Sequence, residues 1–185
     1  MNRSLLLALL LVLSAAPFLR GPASGDVGFD PLEARGRQVE LAIETGRFSD
    51  GLPVALDLQR SHPDEPLVLY WLTEIYRGLG RPRDEVLAWQ AYLRLSSAPE
   101  DACPWLAEAY AHAGDAEAAL GQYRDCVSID PDEPQRLLDL AAAQAARHQM
   151  SDALESYARA AALDPRDPAI PRLAGALHRT AGGTP

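Results

Sequence analysis

The chain lacks lysine altogether and is poor in aromatic and β-branched residues, and these absences restrict its fold and chemistry. All 17 basic residues are arginine, so a Gly-x-x-x-x-Gly-Lys phosphate-binding loop is excluded. Aromatic residues make up only 6% of the chain, so the core cannot depend mainly on large rings. Alanine and leucine together supply a third of the 185 residues, and both favour helices. The composition therefore argues strongly against an all-β fold.

The charge of the chain is one-sided. Its 26 acidic residues outnumber the 17 arginines, which gives a formal net charge of −9 at pH 7. A protein this acidic repels phosphate backbones and anionic membrane surfaces. We therefore expect no nucleic-acid partner.

The N-terminal segment, residues 1–25, has the composition of an export signal. Arg3 precedes an apolar run over residues 5–19, and small residues occupy positions 23–25. The run is shorter than the roughly 20 residues that span a membrane. We predict a cleaved signal peptide over 1–25 and a linker over 26–31, with an uncleaved anchor as the alternative. The body is then periplasmic or extracellular, and it contacts a membrane only if the anchor is retained.

The rest of the chain is an internal repeat, in which equivalent residues recur at a constant spacing. The recurring residues are Ala119 and Ala153, Tyr123 and Tyr157, Pro131 and Pro165, and the series Gly46, Gly80, Gly114 and His148. Four units follow from this spacing, over residues 32–65, 66–99, 100–133 and 134–167. Since one such unit cannot bury its apolar face alone, we expect the units to stack.

The third unit shows the pattern most fully, in Leu106, Ala107, Tyr110, Gly114, Asp115, Ala119, Tyr123 and Pro131. This pattern resembles the tetratricopeptide repeat. The resemblance implies an all-α fold, an α-solenoid over 32–180 made of four helical hairpins and a capping helix over 168–180, with a disordered tail over 181–185. In the first unit Gly51 and Pro53 depart from the pattern, so we expect its second helix to begin late, near Pro53. In the second unit Glu85 stands where a small residue is usual.

No catalytic motif is present in the sequence. The four histidines lie in different units and form no His-x-x-x-His pair, and no Gly-x-Ser-x-Gly elbow occurs. Ser61, His62 and Asp64 have the residue types of a catalytic triad, but near-consecutive residues at a helix end cannot converge on one reacting atom. We therefore predict no catalytic residues, no metal site, no cofactor and no enzymatic activity.

The two cysteines lie in one predicted hairpin. Cys103 precedes Gly114 by as many positions as Cys126 follows Asp115, so an antiparallel hairpin that turns at Gly114 and Asp115 places them face to face. In an exported protein this placement favours a disulfide. A pair of buried free thiols and a redox-active pair are the alternatives.

The resemblance also suggests a binding face, because in this family the first helix of each hairpin lines a concave groove that holds peptide segments. Counting within the units places nine residues in that groove: Glu40, Tyr70, Trp71, Glu74, Arg77, Trp105, Glu108, His112 and Asp139. Glu40, Glu74 and Glu108 share one register and predict a negative strip, with Trp71 and Trp105 as platforms for cations. The alternative is that the glutamates are ordinary exposed helix residues and the tryptophans pack between the units.

These features predict a non-catalytic scaffold or adaptor that binds a basic or amphipathic protein segment in its groove. Assembly of a cell-envelope complex is one such role, suggested by fold analogy alone. Two alternatives remain at this stage. The protein is then either a redox or enzyme-accessory protein acting through Cys103 and Cys126, or a structural protein that self-associates.

Overall fold

The computed structural model describes residues 31–182, and within them the chain is helical between short turns. The helices are α1 (Pro31–Glu44), α2 (Phe48–Ser61), α3 (Pro66–Gly78), α4 (Pro82–Leu95), α5 (Pro99–His112), α6 (Ala116–Ile129), α7 (Pro134–Ala146), α8 (Met150–Leu163) and α9 (Ala169–Gly182). Between residues 31 and 182 there is no strand. The predicted signal peptide, residues 26–30 of the predicted linker and residues 183–185 of the predicted tail lie outside the described residues.

Contacts divide the described residues between Ala34 and Arg35, and the second unit begins at Arg35. In the second unit each helix from α3 to α8 packs against the helix before it and the helix after it, and α9 packs against α8. One core cluster joins Leu120 of α6, Leu137 of α7 and Ile170 of α9. Such sequential stacking is the α-solenoid predicted from the sequence, which the structure confirms. Among the residues described, no helix combines the length and the apolar character needed to cross a membrane.

The turns inside the hairpins explain the glycine series. Gly46, Gly80 and Gly114 have φ angles of 68°, 64° and 79°, in the left-handed region that glycine adopts without a steric penalty. At the third turn, the amides of Gly114 and Asp115 donate to the carbonyls of Ala111 and Tyr110, which closes helix α5. His148 occupies the fourth turn at φ 61° without being glycine.

The small-residue column explains how the paired helices approach each other. Ala119 and Ala153 are buried, at 3% and 0% exposure. Gly51 lies at the same repeat position and is also buried. A Cβ placed on Gly51 would lie 3.0 Å from the Cβ of Ala42 on α1, so only a very small residue fits there. Gly51 therefore permits close packing in the first hairpin, as the alanines do in the third and fourth.

The start of α2 was predicted wrongly. The helix begins at Phe48 and contains Pro53, whereas the sequence suggested a start near Pro53 itself. The amides of Asp50 and Gly51 donate to the carbonyl of Arg47, at 3.0 and 3.2 Å, and these bonds form the first turn. Proline lacks a donor for one bond in the second turn. Packing of Gly51 against α1 holds this part of the chain helical nonetheless.

Candidate functional site

Helices α3, α5 and α7 are the first helices of the second, third and fourth hairpins, and they carry most of the predicted groove residues. Tyr70 and Trp105 are large rings with 42% and 45% of their surface exposed. Glu108 and His112 of α5 have side chains that are 43% and 44% exposed. These α5 residues lie close to residues from α3 and α4, as the distances below show.

Trp71 is not part of this accessible surface. Only 4% of the residue is exposed, and it faces α1, where a Cβ on Gly36 would collide with its ring. Gly36 thus provides the space that the indole fills. The expectation that Trp71 is a platform for a ligand cation is wrong, and its packing between hairpins accounts for it.

The three glutamates of the predicted strip have different surroundings. Glu40 is exposed on α1. The Oε1 atom of Glu74 lies 3.2 Å from Nη1 of Arg77, whereas Oε1 of Glu108 lies 3.8 Å from Nε2 of His112. The strip is therefore interrupted at its centre by a cation of the chain itself.

Arg77 is held mainly by a residue that the sequence analysis did not place in the site. Its Nε atom donates to Oε1 of Glu85 at 3.0 Å, and the Glu85 side chain is only 1% exposed. Glu85 is the acidic residue at the small-residue position of the second hairpin. A buried carboxylate needs a cationic partner, so an acid at this position was a usable signal for an arginine nearby.

The guanidinium of Arg77 also covers part of Trp105, with its Cζ atom 5.5 Å from the ring centroid. The Trp105 ring stacks near Trp89 of α4, with centroids 6.5 Å apart and an interplanar angle of 13°. On the far side of Glu85, Nδ1 of His112 lies 3.6 Å from Oε2. We call Glu74, Arg77, Glu85, Trp105 and His112 the Arg77 cluster. The sequence suggested that a partner supplies the cation over Trp105, but here the chain supplies one.

Residues of α5, α6 and α7 line a cavity of about 510 Å³, which we call the acidic cavity. Its lining includes Asp101, Trp105, Glu108, Tyr123, Arg136 and Asp139. Three carboxylates thus face one arginine, beside two aromatic rings. Of the predicted groove residues, Trp105, Glu108 and Asp139 are brought together here.

The surroundings of two groups in the acidic cavity shift their pKa values. Burial raises the pKa of the Asp139 carboxyl, although Nε2 of Gln135 donates to it at 2.8 Å and Arg136 lies near. Burial also raises the pKa of the Tyr123 hydroxyl, and the charges of Asp139 and Glu108 add to this effect. The carboxyl of Asp139 is therefore partly desolvated, although Gln135 and Arg136 favour its ionised form.

A second recess of about 270 Å³ adjoins the acidic cavity, since Tyr123 and Asp139 line both. The rest of its wall is built mainly from alanine side chains, among them Ala111, Ala119, Ala142 and Ala146. We call it the alanine recess. The surface at α5–α7 thus presents a negatively charged compartment next to a smaller one lined mostly by alanine.

The two cysteines join the helices behind this surface. Cys103 of α5 and Cys126 of α6 have their sulfur atoms 2.09 Å apart, at disulfide distance, and each residue is 1% exposed. Nε2 of Gln122 lies 3.2 Å from the sulfur of Cys103. The predicted pairing is therefore the one the structure contains. Elsewhere in the part of the chain that is described, no cluster of three or more His, Cys, Asp or Glu residues has the arrangement of a metal site.

Paired helices, left-handed turns and a small-residue column define the fold as that of a tetratricopeptide-repeat protein. Many solved structures are similar to it, among them the following three. MamA from Desulfovibrio magneticus RS-1 has a TM-score of 0.69 at 17% identity, over 83% of this chain and 86% of that one. TTC0263, a thermophilic tetratricopeptide-repeat protein of Thermus thermophilus, has a TM-score of 0.58 at 18% identity, over 82% of each chain.

The third is YrrB, described as a tetratricopeptide-repeat protein with an unusual peptide-binding site. Its TM-score is 0.60 at 13% identity, over 78% of this chain and 74% of that one. At these identities the likeness is one of fold. No protein-family model and no curated protein sequence matches the chain.

Proposed function

We propose that this protein is an exported, non-catalytic scaffold that holds a basic or amphipathic segment of a partner protein against its concave face. The acidic cavity is the observation that carries the proposal. It combines Glu108 and Asp139 with the exposed ring of Trp105, in a concave surface between two first helices. Grooves lined by aromatic and charged side chains suit extended or helical peptides. The similarity to YrrB supports peptide binding by a solenoid of this kind.

The burial of the cysteines weighs against the redox alternative. Thiol–disulfide exchange requires a thiolate to reach one of the two sulfur atoms. Cys103 and Cys126 are each 1% exposed and lie between packed helices. We infer that their bond is structural and that it cross-links α5 to α6 behind the groove.

Export rests on the N-terminal sequence and on the cysteine pair. The apolar run over residues 5–19 has the length and flanks of a signal peptide. Disulfides persist chiefly in oxidising compartments outside the cytosol. Mass spectrometry of the mature protein gives its first residue, and alkylation without reductant counts its free thiols. We expect a start near Asp26 and no alkylation; an intact Met1 with two alkylated cysteines would contradict export.

The scaffold proposal is tested by partner capture from the protein's own cell envelope after mild crosslinking. The full tagged chain is compared with the double variant Glu108→Gln/Asp139→Asn, which neutralises the acidic cavity while keeping its shape. Glu155→Gln removes one exposed charge on α8 and serves as the matched control. We expect one partner that the wild type and the control recover and the double variant loses. Recovery of no partner by any form would overturn the scaffold proposal and favour self-association.

A further inference from the structure

We infer that the acidic cavity between α5 and α7 binds the guanidinium of an arginine side chain on the partner, and that the alanine recess takes a small apolar side chain next to it. This inference rests on the proposed function and names the chemistry of the segment that the groove selects. It gives the two adjoining compartments separate roles.

The charges around the cavity favour a cation. Asp101, Glu108 and Asp139 contribute three carboxylates, against the single arginine Arg136. Asp139 is held in place through its bond from Gln135 and is partly removed from water, so it gains more from an entering cation than an exposed carboxylate would. Burial raises the pKa of its carboxyl even though Gln135 and Arg136 favour the ionised form.

The planar ring beside the carboxylates favours arginine over lysine. Trp105 lines the cavity and is 45% exposed. A guanidinium can stack on an aromatic ring and donate two parallel bonds to a carboxylate, whereas an ammonium is a compact, strongly hydrated point charge. Trp105 lines this space together with Glu108 and Asp139, and it does so while Arg77 and Trp89 also lie near its ring.

The chain itself contains an example of this arrangement. The guanidinium of Arg77 lies over Trp105 at 5.5 Å and is held between Glu74 and Glu85, at 3.2 and 3.0 Å. An arginine therefore fits between carboxylates on this same indole. The acidic cavity also combines Trp105 with two carboxylates, Glu108 and Asp139, and it has open space beside them in addition to its own Arg136.

The alanine recess determines which side chain fits next to the arginine of the partner segment. Its walls include Ala111, Ala142 and Ala146, and its volume is about 270 Å³. Asp139 and Arg147 also line it, and a methyl or isopropyl side chain gains burial against the alanines. Because the two compartments share Tyr123 and Asp139, both side chains come from one short segment.

The test uses short capped peptides titrated into the full, oxidised protein. The probe is acetyl-Gly-Arg-Val-Gly-amide, compared with peptides in which citrulline or lysine replaces the arginine. Citrulline keeps the shape of the side chain and removes its charge. Binding is followed by calorimetry and by the NMR signal of the Trp105 indole N–H. We expect millimolar affinity for the arginine peptide, about tenfold or more weaker binding for citrulline, and intermediate binding for lysine.

The protein variants locate the site. We expect Glu108→Gln/Asp139→Asn to weaken binding of the arginine peptide by about tenfold or more, and Glu155→Gln to leave it unchanged. Circular dichroism checks that both variants remain folded. Equal binding of the citrulline peptide, or unchanged binding by the double variant, would overturn the inference.

Failure of this inference can be told apart from failure of the scaffold proposal. A partner that the wild type and the double variant capture equally would keep the scaffold and overturn the arginine site. Sedimentation tests the remaining occupant, a second copy of this arginine-rich chain. A dimer that only the double variant fails to form would assign the cavity to self-association and overturn the inferred partner.

Discussion

The carboxylates on the two sides of α5 differ in how their negative charge is balanced. Towards α3 and α4, the buried carboxylate of Glu85 is paired with Arg77 at 3.0 Å, so the charge is compensated within the chain. Towards α7, Asp139 is partly buried beside a cavity of about 510 Å³ and has a raised pKa. A carboxylate whose charge is balanced within the chain contributes to the folded structure and gains little from a ligand cation. A carboxylate that is partly removed from water beside open space costs stability, and a ligand cation can offset part of that cost on binding.

The largest expected effect concerns the link behind α5, the helix that both sides share. Cys103→Ala/Cys126→Ala removes a cross-link between residues separated by 23 positions. Closing a loop of this length stabilises the folded state by roughly 3 kcal/mol in the chain-entropy model. We expect the free energy of unfolding to fall by about that amount when wild type and double variant are compared by urea denaturation.

The wild type unfolded in strong reductant is the control, and it should resemble the double variant. Since α5 contributes Trp105 and Glu108 to the acidic cavity, loosening it should also weaken binding of the arginine peptide. A double variant as stable as the oxidised wild type would show that the helices need no cross-link.

The second prediction removes the buried carboxylate of Glu85, which pairs with Arg77 on one side of α5. Glu85→Ala introduces the residue found at the same position in the third and fourth hairpins, but it removes the buried carboxylate that holds Arg77 and leaves Glu74 and the Trp105 ring as its contacts. Removing one partner of a buried ion pair is destabilising, and because Arg77 is 30% exposed we expect a moderate loss of about 2 kcal/mol. The double variant Glu85→Ala/Arg77→Leu should recover part of the loss.

Thermal and chemical denaturation of the two variants and of Arg77→Leu complete the double-mutant cycle. A coupling energy near zero would mean that Glu85 and Arg77 do not depend on each other. Tryptophan fluorescence adds a second measurement, because Arg77 no longer held over Trp105 should alter the emission of that ring.

The third prediction compares the turns that begin the second helix of each hairpin. Gly114 and His148 occupy equivalent turns with φ angles of 79° and 61°. A side chain in this region costs about 1 kcal/mol relative to glycine, so Gly114→Ala should destabilise and His148→Gly should stabilise by up to that amount. No atom lies within 4 Å of a Cβ on Gly114, so conformation alone causes its loss. Denaturation midpoints that shift in the same direction for both variants would contradict this account.

A structural feature of this protein can be predicted from the sequence when it depends on residues that are near one another in the chain. The constant repeat spacing predicts the hairpins and the turns because each depends on residues near one another in the chain. It also predicts the pairing of Cys103 with Cys126, because their distances from the turn are equal.

The site is less predictable because contacts between hairpins decide it. Tyr70 and Trp71 are adjacent aromatic residues on one helix, and only the space beside Gly36, in the preceding hairpin, determines that the indole is buried. Likewise Arg77 of the second hairpin reaches Trp105 of the third. The unusual Glu85 was visible in the sequence, but its partner became apparent only from the facing helix.

The smallest expected effect tests whether Asp139 is retained for binding at some cost in stability. Its pKa is raised by burial, so the folded state binds this proton more tightly than the unfolded state does. The ionised carboxylate therefore destabilises the fold above the raised pKa, and this penalty disappears as the pH falls through it. Asp139→Asn does not titrate and keeps an oxygen that can accept the bond from Gln135. We expect it to be slightly more stable than the wild type at pH 7, by less than about 1 kcal/mol, with the difference vanishing in acid.

The same variant should bind the arginine peptide more weakly, and this opposite change in stability and affinity distinguishes a binding carboxylate from a structural one such as Glu85. A loss of stability at pH 7 would place Asp139 with the compensated charges on the other side of α5.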